Sequence, residues 1–132
     1  MWKIILFTLL VATSALAHDK GQYDSPDIAY WMNGLRQPNS EASCCGEADA
    51  YEADRQEECG PRDGNDCALV AIITDERDDA RLRRAHIPVG TRVVIPPRKI
   101  RRPPSVNPTG HTIVFVHPSS LIVFCYEPLP LM

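Results

Sequence analysis

Apolar and polar positions alternate with three different periods along this chain, and each period predicts a different element. Residues 4–12 form a short unbroken apolar run behind Lys3; Thr13 and Ser14 end it, and Ala15-Leu16-Ala17 follows. A basic start, an apolar stretch too short for a bilayer and a small-x-small exit occur in the order of a secretory signal peptide. Residues 1–17 are therefore expected to be removed, leaving residues 18–132 as a single exported domain. Ile28, Trp31, Met32 and Leu35 then recur at i, i+3, i+4 and i+7, the stripe of a helix over residues 27–36. Ser25 offers a capping hydroxyl, Pro26 suits the first turn, Asp27 favours the positive end of the helix dipole, and Gln37-Pro38 stops it.

Beyond the helix the period shortens. Residues 67–74 are a nearly continuous apolar run between Gly64-Asn65-Asp66 and Asp75-Glu76, the pattern of a buried strand. Gly60-Pro61-Arg62-Asp63-Gly64 is turn chemistry, so residues 51–58 are expected to pair back as the other arm of a hairpin. Cys59 and Cys67 flank that turn, and a bridge between them would clamp the hairpin base. Residues 90–96 read as a strand ended by prolines. Residues 111–117 and 121–126 read as a second hairpin around Pro118-Ser119-Ser120. The stretch 96–108 carries Arg98, Lys99, Arg101 and Arg102 among five prolines, which suits a basic, extended surface loop and not a central strand. The expected fold is α+β: one N-terminal helix packed on a small curled antiparallel sheet or partial barrel. Cys125, in the last strand, is expected to reach back to Cys44 or Cys45 and tie the ends together.

Composition narrows this picture. A length of 132 residues allows one domain, 44% hydrophobic residues exclude a disordered tail, and no run of about 20 apolar residues is present to span a membrane. Charge is uneven. Residues 18–80 hold sixteen acidic against five basic side chains, and residues 81–132 hold eight basic against one acidic. Attraction between the two halves within one fold is the simplest use of that contrast; a basic face for an anionic polymer is the functional alternative. All five cysteines (Cys44, Cys45, Cys59, Cys67, Cys125) follow residue 17, and in an exported chain of this size they read as a disulfide framework. Five is odd, so at least one thiol stays free, pairs between chains or binds something.

Three arrangements could carry chemistry. Cleavage after Ala17 would expose His18, whose α-amine and imidazole together chelate copper in the manner of a histidine brace, with His111 or His117 as a further nitrogen donor. His86 reads as a surface or turn residue. A cysteine–histidine pair is the second arrangement: residues 110–116 resemble the histidine strand of papain-like cell-wall hydrolases, with Cys44 or Cys45 as nucleophile. The acidic stretch 46–50 beside those cysteines would raise a thiol pKa, the wrong direction for a nucleophile. Vicinal thiolates at Cys44-Cys45 are the third arrangement, without a second cysteine pair at ligand spacing. The basic segment at 98–102 has no interleaved aromatic residues, so no stacking platform for nucleic acid is expected.

The stretches Cys44-Cys45-Gly46-Glu47-Ala48-Asp49-Ala50-Tyr51, Asn107-Pro108-Thr109-Gly110-His111 and Phe124-Cys125-Tyr126 resemble the landmarks of a family of small, uncharacterised exported proteins of Gram-negative bacteria. The resemblance covers most of residues 28–128. It places Cys44, Cys45 and Cys125 in the shared pattern and Cys59 and Cys67 as an addition of this chain. It implies export and one fold, and carries no activity. The expectation is a periplasmic or secreted, non-enzymatic binding or accessory protein for an envelope or extracellular ligand, with no resident cofactor. A copper- or other metal-binding protein using His18 with His111 or His117 is the alternative, and a cysteine-dependent cell-wall hydrolase the third.

Overall fold

The computed structural model describes residues 25–76, 87–102 and 106–129. The signal-peptide reading of residues 1–17, and His18 and His86, lie outside them. The first described element is helix α1 (Pro26–Gly34), with Pro26 in its opening turn and Asp27 beside it. Ser25 occupies the capping position in an extended conformation, but its hydroxyl makes no capping bond, contrary to expectation. The helix also ends earlier than its apolar stripe. Leu35 is already extended, and the Arg36 guanidinium donates to the last carbonyls, Asn33 O at 3.0 Å and Leu35 O at 3.2 Å. That supplies the positive charge a helix C-terminus favours.

Six strands follow: β1 (Asp49–Glu52), β2 (Arg55–Glu57), β3 (Leu69–Ile72), β4 (Arg92–Ile95), β5 (Ile113–Val116) and β6 (Val123–Glu127), with a 3-10 turn at Pro97–Lys99. They form two antiparallel three-stranded sheets, ordered β1-β5-β6 and β2-β3-β4, neither of them closed. This corrects the expectation of one curled sheet or partial barrel. The cause lies at Ala53-Asp54. The Ala53 amide still donates to Thr112 O (2.9 Å) beside β5, whereas the Asp54 amide donates to the Thr74 hydroxyl (3.1 Å) beyond β3. The chain therefore changes sheets between adjacent residues. The expected arm 51–58 is split: residues 55–57 pair with β3, while Tyr51 and Glu52 pair with Val114 and Ile113 of β5.

β5 is central in its sheet and buried on both faces, which is why its sequence is unbroken apolar rather than alternating. Ile113 and Phe115 join Met32, Leu35, Cys44, Cys45, Ala48, Ala50 and Cys125 in a cluster with the helix, with Ile28 and Trp31 packed at its margin. Val114 and Val116 share a second cluster with Tyr51 and Tyr126 of their own sheet and Ala71, Val93 and Ile95 of the other. The β1-β5-β6 sheet thus has the helix on one face and the second sheet on the other. The proline-rich basic segment is not a loose loop. Ile100 bridges Tyr126 in parallel, and the Arg101 amide donates to Tyr126 O at 3.0 Å, so the segment lies along β6 and covers that sheet edge.

Two disulfides tie the fold. Cys59–Cys67 clamps the β2–β3 hairpin as expected, and Cys125 pairs with Cys44, closing a span of 81 residues. Cys45 keeps its thiol, buried, with Sγ donating to Met32 O at 3.3 Å. The charge contrast is used internally: the Arg92 guanidinium, from the basic half, pairs with Glu57 and with both carboxylate oxygens of Asp63, and Arg98 pairs with Asp66.

Candidate functional site

Two groups of polar side chains stand out, at opposite kinds of position in the fold. The first surrounds His111, where the two sheets part. Glu52 ends β1, Asp54 sits at the sheet-changing corner, and His111 precedes β5, so the strand register alone brings the three together. His111 Nδ1–H donates to Asp54 Oδ2 at 2.7 Å, and Nε2 lies 3.7 Å from Glu52 Oε1. Asp54 Oδ1 accepts the Thr112 amide at 2.9 Å, which fixes the carboxylate.

The loop before His111 is braced by its own side chains. Asn107 Oδ1 accepts the Thr109 amide (3.0 Å) and hydroxyl (2.7 Å), Asn107 Nδ2 donates to His111 O (2.8 Å), and the His111 amide donates to Thr109 Oγ1 (3.1 Å). Gly110, at φ +76°, supplies the left-handed residue the turn needs.

The electrostatics follow from these contacts. The Asp54 hydrogen bond holds the His111 imidazolium above its ordinary pKa, with burial opposing it and the charges of Glu52, Asp54 and Asp75 adding to it. Tyr126 is pushed up mainly by burial and then by the charge of Asp54. Donor atoms of Glu52, Asp54 and His111 lie within 4.8 Å of one another, so these are the described residues that could hold a metal ion. As they stand they satisfy one another as an ion-paired set.

The second group lines a cleft of about 370 Å³ between the turn after α1 and the segment after β4. Arg36, Gln37 and Asn39 form one wall, and Arg98, Arg101 and Arg102 the other. The 3-10 turn and the parallel bridge at Ile100 set the second wall. Arg101 is the fixed member. Its Nε donates at 2.7 Å to Glu127, which is fully buried, and its Nη1 donates to Arg36 O. Arg98 is matched by Asp66, and Lys99 Nζ donates to Gln37 Oε1 at 2.8 Å. Among the described residues no ion pair to a carboxylate is formed by Arg36, Lys99 or Arg102. The cleft therefore holds an excess of positive charge in a chain of net charge −3.

The predicted site residues are dispersed. His117 lies at the far end of β5 from His111, where its Nδ1 accepts the Ser119 and Ser120 amides at 3.2 and 3.3 Å and caps the turn. A four-residue strand separates the two histidines, so at about 3.3 Å per residue they cannot ligate one ion together. Cys44 is in a disulfide and the Cys45 thiol is 1% exposed, so neither presents a nucleophile to a substrate.

Sequence reasoning singles out His111 but misses Glu52 and Asp54, which it places only in a hairpin arm within the acidic half. It also reads Arg98 to Arg102 as a surface loop, without Arg36 opposite. The signal that pointed to the cleft was the density of arginine among prolines. Comparison with protein-family models, curated proteins and solved structures finds no match to this chain.

Proposed function

We propose that this chain is an exported, non-enzymatic binding protein whose arginine-walled cleft takes an anionic ligand. The observation that carries the reading is the convergence of Arg36, Arg98, Arg101 and Arg102 on one cleft. Guanidinium groups bind phosphate and carboxylate through paired hydrogen bonds, and their charge is worth more in a concave site than on open surface. Arg101, held by a buried carboxylate, gives the cleft one preorganised donor. Two disulfides suit an oxidising compartment outside the cytoplasm, and no described helix is long and apolar enough to cross a membrane.

Titration calorimetry with pyrophosphate tests this. Arg98 and Arg102 are exposed, so Arg98→Ala/Arg102→Ala is expected to fold normally and to weaken binding about tenfold or more, two charge-assisted contacts being lost. Unchanged affinity would overturn the assignment of the cleft.

A second reading keeps a metal at His111, favoured by the three donor atoms within 4.8 Å. Imidazole with carboxylates suits copper or zinc, and His18, if it is the exported N-terminus, would add two nitrogens. Cu(II) is expected to raise the melting temperature of the wild-type protein and not of His111→Ala; equal shifts in both would remove this reading.

A further inference from the structure

The arginine cleft does not end at Arg98. Gln37 and Arg98 also line a second cleft, of about 530 Å³, whose remaining wall includes Lys99, Leu121, Ile122 and Phe124. Each cleft falls within the range of about 300–1,000 Å³ typical of small-molecule sites. The second keeps Arg98 and Lys99 but adds an apolar side, Leu121, Ile122 and Phe124, that the first lacks. Leu121 is 38% and Ile122 60% exposed, adjacent members of the six large apolar side chains exposed among the described residues.

Leu121 is held at φ +59°, a left-handed backbone that costs a side chain of this size and that asparagine or glycine would adopt readily. The turn fixes it there: the Leu121 amide donates to His117 O and the His117 amide to Ile122 O, each at 2.9 Å. The strained leucine stands beside an isoleucine that is more than half exposed. Together they complete an apolar wall running directly into a cationic cleft.

We infer that the ligand is a monomeric, single-chain anionic amphiphile, an inference that rests on the anion-binding reading above. Its phosphate or carboxylate head is held in the cleft of Arg36, Arg98 and Arg102, and its alkyl chain lies along Leu121, Ile122 and Phe124. Charge complementarity fixes the direction of the molecule. Gln37 and Arg98 stand at the junction, lining both clefts, and the Arg98 methylene stem extends the apolar wall toward the cationic one, while Lys99 adds its charge within the second cleft. A purely ionic ligand would leave the apolar wall unused.

Calorimetry on the purified protein with ethyl phosphate, octyl phosphate and octyl glucoside, all kept monomeric, separates the possibilities. Each methylene removed from water is worth about fourfold in affinity, so octyl phosphate is expected to bind at least about tenfold more tightly than ethyl phosphate even with its chain partly buried. Leu121→Asn/Ile122→Ser, which suits the left-handed position and keeps the fold, should erase that increment and leave ethyl phosphate binding unchanged.

Equal affinity for the two phosphates, or an increment that survives in the double variant, would overturn the amphiphile while leaving the anion cleft standing. Binding of octyl glucoside with neither phosphate bound would overturn the anion cleft itself. Capture by vesicles of anionic phospholipid without binding of monomeric octyl phosphate would mean a membrane surface and overturn the inference.

Discussion

His111 shows how much a single side chain owes to its surroundings. Alone it is a strand-end histidine; between Asp54 and Glu52 it becomes the pin joining β5 to the corner where the chain changes sheets. Because Asp54 holds the imidazolium above its ordinary pKa of 6.5, the folded state binds more protons than the unfolded one near neutrality. Its contribution to stability is thus fully present below pH 6.5 and is lost as pH rises through the folded value. With 40% of the side chain exposed, solvent screens the pair and the effect is modest. His111→Gln is expected to flatten the decline in unfolding free energy as pH rises above the unfolded value of 6.5, read from denaturant midpoints at each pH. A decline just as steep in the variant would show that the pin does not operate. The histidine was legible from the sequence; its carboxylates were not, because their proximity is a product of strand register and no local pattern encodes register between strands some 60 residues apart.

Among the elements, the strongest local signals survived folding. The helical stripe, the turn chemistry at residues 60–64 and the apolar runs of β3, β5 and β6 all describe segments that local preference and tertiary packing agree upon. The misreading at residues 51–58 has a definite cause: a strand that crosses between sheets keeps its extended backbone, so nothing in its sequence marks the handover at Ala53-Asp54. The two disulfides differ for a similar geometric reason. Cys59–Cys67 closes a span of 8 residues that the hairpin already brings together, whereas Cys44–Cys125 closes 81 and joins the turn beyond the helix to the last strand. On chain entropy the first is worth about 2.5 kcal/mol and the second about 4.5 kcal/mol. Unfolding in denaturant should therefore show Cys44→Ser/Cys125→Ser as the more damaging pair, further penalised by placing two hydroxyls where both cysteines are fully buried. Equal losses would show that the hairpin clamp carries more than its loop length implies.

At the scale of the whole molecule, the division into an acidic and a basic half has two outcomes. Arg92 spends its charge on Glu57 and Asp63, and the exposed Arg98 guanidinium is shared between Asp66 and the cleft, so part of the contrast becomes the internal attraction the sequence predicts. The rest of the basic segment lies along β6, faces Arg36 and leaves a cationic cleft. No property of the sequence alone could place Arg36 there, since that requires the turn after the helix to meet a segment some 60 residues later. The measurement that tests this account most directly is the pyrophosphate affinity of the purified protein at about 0.05 M and 0.5 M salt, where screening shortens the reach of exposed charge from more than 10 Å to a few ångströms. The account predicts measurable binding at low salt that weakens at least about tenfold at high salt and is lost to the same degree in Arg98→Ala/Arg102→Ala. Absence of binding at low salt, or binding indifferent to both salt and substitution, would contradict it.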